Sequence, residues 1–211
     1  ERMHHESTLL FMSNLVDTAG SIKPAFLKDM AIAYTAGFIG HYTLDTICHP
    51  YIHYRACKDI NDHSNKGFYN HMLLEADIDC SLLAHFFRMK PSEFHPSKTI
   101  VLKKSDAFFL AAFIDRAIDK TYPGSLVLSS EIQAAFKSSR LLYDLMEDPR
   151  QWKKKFVRSL EGIFFKHPEY SAMIASDGHF SYNDSCNLSH HLWRNPWKTD
   201  VFSTESFYDL L

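Results

Sequence analysis

The side chains of this chain that are best suited to chemistry are two histidine–carboxylate pairs with the same spacing. His41 precedes Asp45 by four residues, and His71 precedes Glu75 by the same interval. Side chains four apart on an α-helix lie one above the other on one face, so each pair presents an imidazole and a carboxylate to one point. Zinc and similar divalent metals accept these donors. The spacing therefore predicts metal ligation from two helices.

Apolar residues flank both pairs, and this context favours metal ligation over an ordinary surface pair. A lone His–Asp pair on an exposed helix is usually only a weak surface interaction. A buried imidazole or carboxylate must instead be paired or ligated, because an isolated buried charge is costly. The flanking residues are Phe38, Ile39, Leu44, Ile47, Met72, Leu73, Leu74 and Ile78.

The composition is ordinary for a globular protein, with 211 residues of which 45% are hydrophobic and 23% charged. This length predicts a single domain over residues 1–211 with a substantial core. A net charge of −2 gives no electrostatic basis for binding nucleic acid or an anionic membrane surface. The longest basic run, residues 153–155, is interpreted as a solvated helix face. Seven of the thirteen histidines fall within the first 71 residues, and these include the histidine of each pair.

The cysteines and the apolar runs exclude several classes of protein. The four cysteines show no CxxC spacing, which argues against a cysteine-type zinc site and a disulfide scaffold, and slightly favours the cytoplasm. The longest apolar run, residues 107–114, is too short to span a bilayer. The oligomeric state cannot be predicted from these features. The cysteines are Cys48, Cys57, Cys80 and Cys186.

Periodic apolar residues without strand-type alternation predict an all-α chain of six to eight helices. A long helix is expected from about Ser21 to Cys48, and Pro50 should kink or end it at His49. Gly37 and Gly40 within that helix suggest the close approach of another backbone. Residues 167–203 are predicted to be irregular, with Trp193 and Trp197 in an aromatic cluster that could form a lid or a surface wrap.

The run GHYTLDTICHPYIHY at residues 40–54, followed by HMLLEADID at residues 71–79, resembles the zinc-dependent phospholipase C family. The similarity covers roughly residues 1–90 and is closest to the bacterial, mostly uncharacterised branch of that family, which is related to single-strand-specific zinc nucleases. It implies a multi-helix bundle of the phospholipase C type, with His41 and Asp45 on one ligand helix and His71 and Glu75 on another.

The resemblance also implies further metal ligands, and two of them have alternatives. An upstream ligand matches His4, with His5 as the alternative. The histidine between the two helices is His49, which shares a face with Asp45, or else His53. The family's usual spacing from the aspartate would place this histidine at position 51. That position holds Tyr51, which cannot ligate zinc as a histidine does. His63 is interpreted as a surface loop residue.

The implied centre holds two or three Zn²⁺ ions in the intact protein. His49, His71 and Glu75 would form one site, and His4 and His41 the other, with Asp45 bridging them as the candidate catalytic residue. The family's earlier ligands would precede Glu1. The resemblance therefore predicts a domain that lacks its N-terminal segment, and possibly its C-terminal end, or a shortened member with an incomplete site.

The implied activity is metal-assisted hydrolysis of a phospholipid or another small phosphodiester by activated water. One alternative is a catalytically incomplete metal-binding domain. Another is a zinc nuclease or nucleotidase on the same scaffold, which needs base-stacking aromatic residues and is disfavoured by the neutral chain. Secretion is also compatible with the resemblance, so the compartment is left open.

Overall fold

The computed structural model describes residues 2–56, 65–165, 170–178 and 181–211. Within these ranges the chain is mostly helical, which confirms the all-α class. His63 and Cys57 lie outside the described residues. The α-helices are α1 (Arg2–His5), α2 (Thr8–Gly20), α3 (Ala25–Ala56), α4 (Asn65–Leu82), α5 (Pro96–Thr99), α6 (Lys104–Thr121), α7 (Ser129–Met146), α8 (Lys153–Phe164) and α9 (Phe207–Leu210). Short helical turns of other types are the π-helical Leu83–Phe87 and the 3₁₀ turns Pro91–Glu93 and Ser171–Met173.

The described chain divides into two compact units. The first unit comprises Glu1–Leu44 and Ser97–Leu142, and the second comprises Asp45–Pro96 and Tyr143–Leu211. The prediction of a single domain stays a prediction.

The core of the first unit lies where α2 and α6 pack together with the beginning of α3. Polar side chains at its margin join α2 to α6, since Asn14 Nδ2 donates to Thr121 Oγ1 over 2.9 Å and Lys120 Nζ donates to Thr18 Oγ1 over 3.2 Å. Its buried residues are Phe11, Leu15, Ala19, Ala31, Leu110, Phe113, Ile114, Ala117, Ile118 and Tyr122.

The core of the second unit is formed by the C-terminal half of α3, by α4 and by the irregular C-terminal segment. The carboxylate of Asp77, buried on α4, accepts hydrogen bonds from the backbone of Ser181 (2.6 Å) and Tyr182 (2.8 Å) and so fixes that segment against the helix. The buried members of this core are Cys48, Tyr51, Ile52, Ala56, Leu74, Ile78, Cys186, Trp193 and Phe207.

Helix α3 continues through Pro50 to Ala56. Of the two predicted outcomes, an end of the helix at His49 is therefore wrong, and a kink there stays a prediction. A proline inside a helix costs about 3 kcal/mol because it removes one hydrogen bond and crowds the preceding turn. The turn after Pro50 buries Tyr51 and Ile52, and each large side chain stabilises by about 1.5–3 kcal/mol when fully buried. The Tyr51 hydroxyl also donates to Ser185 O over 2.6 Å. These contacts offset the cost of the proline.

Two short strands that the sequence did not predict occur in the C-terminal segment. Strand β1 (Trp193–Arg194) pairs antiparallel with β2 (Phe202–Ser203), with Trp193 opposite Ser203. Two residues per strand are too few to show an alternating pattern, which explains why the sequence carried no signal for them.

The prediction that another backbone approaches Gly37 and Gly40 is wrong for the described residues. A Cβ atom at either position would meet no heavy atom within 4 Å beyond its own helix backbone and its chain neighbours. Both glycines therefore weaken α3 without a packing role.

We expect Gly37→Ala to raise the free energy of unfolding by about 1 kcal/mol, because alanine loses less backbone entropy in a helix. Urea unfolding measures the change. Gly124→Ala is the matched control in the same unit: it also meets open space, but its φ of +85° disfavours a side chain. The free energy of unfolding of that variant should fall by about 1–2 kcal/mol. Equal effects at the two positions would contradict this account.

Candidate metal centre

Three candidate ligands from α3 and α4 come together in the second unit. The Nε2 atom of His71 lies 2.9 Å from Oε1 of Glu75, and Nε2 of His49 lies 3.8 Å from the same oxygen. One ligand atom from each of the three residues lies within 4.8 Å of the other two. These three residues are called the His49–His71–Glu75 cluster below.

The buried residues beside these ligands determine where the ligands lie. Cys48, which precedes His49 on α3, is buried in the core together with Leu74, which precedes Glu75 on α4. Packing of these residues leaves the imidazoles and the carboxylate at the edge of the core. The side chains of His49, His71 and Glu75 are 35%, 19% and 33% exposed, so an ion and a small substrate can reach them from solvent.

The separations within the cluster fit a zinc ion. Ligand atoms that bind one tetrahedral zinc at about 2.0–2.2 Å lie roughly 3.3–3.6 Å apart. The two separations to Glu75, 2.9 and 3.8 Å, lie on either side of that range, and all three ligand atoms lie within 4.8 Å of one another. Two histidines and one glutamate are also a donor set of catalytic zinc sites, which keep one position open. The cluster could thus hold a metal ion.

Asp45 and His53 lie beside the cluster on α3. Oδ1 of Asp45 is 3.9 Å from Nε2 of His49, one helical turn away. The ring of His53 lies 5.0 Å from that of His71 and 5.7 Å from that of His49, measured between centroids. His53 is not part of the three-residue cluster. The structure thus places His49 among the ligand atoms and His53 against their rings, and the assignment of either as a ligand stays a prediction.

The ring of His53 is unusually placed for a histidine. Its Nδ1 atom is buried and has no hydrogen-bond partner among the described residues. Burial, together with the neighbouring His71 and His49, lowers the pKa of His53 to about 4, while Glu75 opposes this shift. His53 is therefore neutral at pH 7. Its free nitrogen lone pair can accept a proton donor or a metal ion.

A tryptophan packs against His53, beside the cluster. The ring of Trp197 meets that of His53 edge-on, at a centroid distance of 4.8 Å, and is 54% exposed. The loop that carries it is closed by Asn195, whose Oδ1 accepts hydrogen bonds from the backbone N–H groups of Trp197 and Lys198. Asparagine commonly closes turns in this way. The aromatic cluster was visible in the sequence, but its position beside His53 was not.

The first unit brings together the other predicted pair of histidines. The rings of His4 and His41 lie 5.2 Å apart, nearly perpendicular, and Phe38 and Tyr42 lie next to His4. One nitrogen from each of the two histidines lies within 4.8 Å of the other. His5, the alternative to His4, is exposed. Asp45 follows His41 by one turn of the continuous helix α3. The roles of His4 and His41 as ligands and of Asp45 as a bridge stay predictions.

Comparisons with protein-family models, with curated proteins and with solved structures found no match to this chain. The site is therefore interpreted from its own geometry. None of the described helices has the length and the apolar character needed to cross a membrane.

We expect His71→Ala to lower zinc affinity by on the order of 100-fold or more, because it removes the imidazole in closest contact with Glu75. Zinc titration monitored by a competing chromophoric chelator measures the change. His191→Ala is the control, because this histidine is exposed in the same unit and outside the cluster. Equal zinc affinity in the two variants would contradict the assignment.

The metal-free protein should become less stable as the pH falls from about 6.5 to 4. His53 is neutral in the folded state down to about pH 4, whereas an unfolded histidine takes up a proton near pH 6.5. The unfolded state thus binds more protons in this window and is favoured by acid. Urea unfolding at pH 7.0, 5.5 and 4.5 measures the free energy of unfolding. This free energy should fall less steeply with decreasing pH for His53→Gln than for the unmodified chain. Identical slopes would contradict the lowered pKa.

Proposed function

We propose that this chain is a metal-dependent phosphodiester hydrolase of the zinc-dependent phospholipase C type. The observation that carries the proposal is the convergence of His49, His71 and Glu75, with Asp45 adjacent, at a solvent-accessible edge of the core. Two imidazoles and one carboxylate leave a tetrahedral metal with an open position, which favours a catalytic role over a structural one.

Each residue near the cluster has a role in the proposed reaction. His49, His71 and Glu75 would hold the metal, which when bound supplies a Lewis acid that acidifies water and neutralises charge on the phosphodiester. Asp45 lies close enough to His49 to accept the proton of the attacking water as a general base. Attack on phosphorus forms one P–O bond and breaks the opposite one. The products are a phosphate monoester and an alcohol, which takes its proton from solvent.

A cavity of about 330 Å³ begins on α4 one residue beyond Glu75 and offers room for the apolar part of a substrate. Ala76, the residue after Glu75 on α4, lines this cavity, and most of the remaining wall is apolar. Ligand sites in proteins are typically apolar cavities of about 300–1,000 Å³ with a few polar groups. A phospholipid-like phosphodiester matches this combination. The other apolar lining residues include Leu82, Leu83, Phe87, Phe94, Met146 and Met173.

A second candidate function is a zinc nuclease or nucleotidase, and the position of Trp197 favours it. Its exposed ring beside His53 offers a surface on which a nucleobase can stack. Base stacking on an aromatic side chain contributes about 1–3 kcal/mol. The formal charge of −2 argues against a long polynucleotide but not against a mononucleotide ester.

We expect the zinc-loaded chain to hydrolyse p-nitrophenyl phosphorylcholine, with the release of p-nitrophenol as the readout. Asp45→Asn should lower kcat by about 100-fold or more, because general-base catalysis contributes on that order. His191→Ala should retain full activity. Turnover that persists after removal of zinc, or in His71→Ala, would contradict the proposal. Full zinc occupancy without turnover would favour the catalytically incomplete metal-binding domain.

A second substrate distinguishes the two hydrolase candidates. The p-nitrophenyl ester of thymidine 5′-phosphate has the same leaving group but carries a base that can stack on Trp197. Phospholipase-type activity predicts a lower kcat/KM for this ester than for the phosphorylcholine ester. The nuclease candidate predicts the reverse order, together with a loss of about tenfold or more in kcat/KM in Trp197→Ala, in line with the stacking energy.

A further inference from the structure

A second cavity of about 330 Å³ lies in the same unit, and it differs in chemistry from the one beside the cluster. It is lined by cationic and hydroxyl side chains over a small apolar floor. The residues used below are Tyr69 and Leu73 of α4, Lys154, Lys155 and Arg158 of α8, and Ser176. Tyr69 and Leu73 are each two residues from a metal-ligand candidate, a rotation of about 200° around a helix. The cavity therefore faces the opposite side of α4 from the His49–His71–Glu75 cluster.

The cavity wall carries three cations and no acidic residue. Lys155 and Arg158 are exposed, and neither makes a hydrogen bond or ion pair with a described residue. Lys154 is partly buried; burial lowers its pKa, and the nearby Asp77 partly opposes that shift. Oδ2 of Asp77 already accepts hydrogen bonds from the backbone of Ser181 and Tyr182. The wall thus has cationic donors available to an anion.

Ser176 is an independent indication of a ligand. Its side chain is only 6% exposed, and its hydroxyl has no hydrogen-bond partner among the described residues. A buried polar group without a partner costs about 1–3 kcal/mol. The backbone beside it is held in place, because the N–H of Asp177 donates to Oε1 of Gln151 over 2.7 Å. This buried hydroxyl belongs to a residue that lines the cationic cavity, so an anion bound there is the nearest candidate for its missing partner.

The backbone N–H groups at the beginning of α8 contribute less to anion binding than the side chains of this helix do. Asp148 already accepts the backbone N–H groups of Trp152 and Lys154 over 3.1 and 2.9 Å. A carboxylate therefore occupies the position at which the helix N-terminus would bind an anion. The anion selectivity of the cavity must come from Lys154, Lys155, Arg158 and Ser176.

We propose that this cavity binds a small molecule that carries a phosphate monoester group, with the phosphate at the three cations and Ser176 and the rest of the ligand against Tyr69 and Leu73. A phosphate monoester carries close to two negative charges at neutral pH, which suits a site with two unpaired cations and a third nearby. The guanidinium of Arg158 can donate two parallel hydrogen bonds to one phosphate. The site is separate from the metal centre and does not depend on the proposed hydrolase activity.

Isothermal titration calorimetry with phenylphosphonate tests the proposal, because this ligand has a phosphonate dianion, an apolar ring and no ester bond to hydrolyse. We expect one binding site in the full chain freed of metal by a chelator, because a zinc ion with an open position would itself bind the phosphonate. Lys155→Gln and Arg158→Gln should each weaken binding by tenfold or more, and both residues are exposed, so these variants should fold. Lys90→Gln is the charge-matched control on the same unit and should bind like the unmodified chain.

Two further variants separate this site from the metal centre and from a purely structural role. His71→Ala should bind phenylphosphonate with unchanged affinity, whether or not the hydrolase proposal holds. Ser176→Ala should bind at least threefold more weakly without loss of thermal stability, since its hydroxyl has no partner in the free protein. The absence of binding, or binding that survives Lys155→Gln, Arg158→Gln or Ser176→Ala, would overturn the proposal. Loss of binding in His71→Ala alone would place the ligand at the metal centre and overturn it as well.

The same phosphate chemistry occurs on soluble molecules and on lipid headgroups. Sedimentation with phosphatidylcholine vesicles that contain phosphatidic acid distinguishes the two sources. Sedimentation that requires Lys155 and Arg158 would identify a lipid headgroup. Phenylphosphonate binding without vesicle binding would identify a soluble ligand. Either result supports the site.

Discussion

The burial of the C-terminal half of α3 is the constraint on which the second unit depends. Tyr51 is fully buried, and its hydroxyl donates to the backbone of Ser185 in the C-terminal segment. Arg55, one turn later, donates to the carbonyl oxygens of Asn183 and Asp184. These contacts hold the helix together across Pro50. Because the helix does not end there, His49 and His53 lie on consecutive turns. Both rings lie near that of His71, and His49 also lies near the carboxylate of Glu75.

Helix α4 presents different side chains on two of its faces, one suited to a cation and the other next to a cationic cavity. The face with His71 and Glu75 offers nitrogen and oxygen donors to a cation, whereas the face with Tyr69 and Leu73 borders a cavity with cationic walls. Between them, Leu74 and Ile78 are buried in the core. A single helix thus carries a buried face and two further faces, one at each candidate site. This arrangement requires the C-terminal segment to pack on it, through the hydrogen bonds that Asp77 accepts.

Two buried polar atoms that lack a hydrogen-bond partner in the described part of the chain lie at the candidate binding sites. Among the described residues, His53 Nδ1 and Ser176 Oγ are two such atoms, and each lies at one of the two candidate sites. A third, Arg55 Nε, differs because the same guanidinium already donates to two backbone carbonyls. Leaving a buried group unsatisfied costs stability. Folding therefore leaves His53 and Ser176 with interactions that a ligand can complete.

The sequence by itself determined the all-α class and predicted which residues could hold a metal. Both follow from local rules: apolar periodicity sets the helices, and a four-residue interval places His71 and Glu75 on one face whatever the rest of the fold does. The sequence could not determine that α3 runs through Pro50, because the compensation comes from burial of Tyr51 against residues more than a hundred positions away. It could not place Trp197 beside His53 for the same reason. The basic run at residues 153–155 was interpreted as a solvated face, and only the tertiary structure brings Lys154 and Lys155 together with Ser176 at one cavity, because long-range packing decides which charges share a wall.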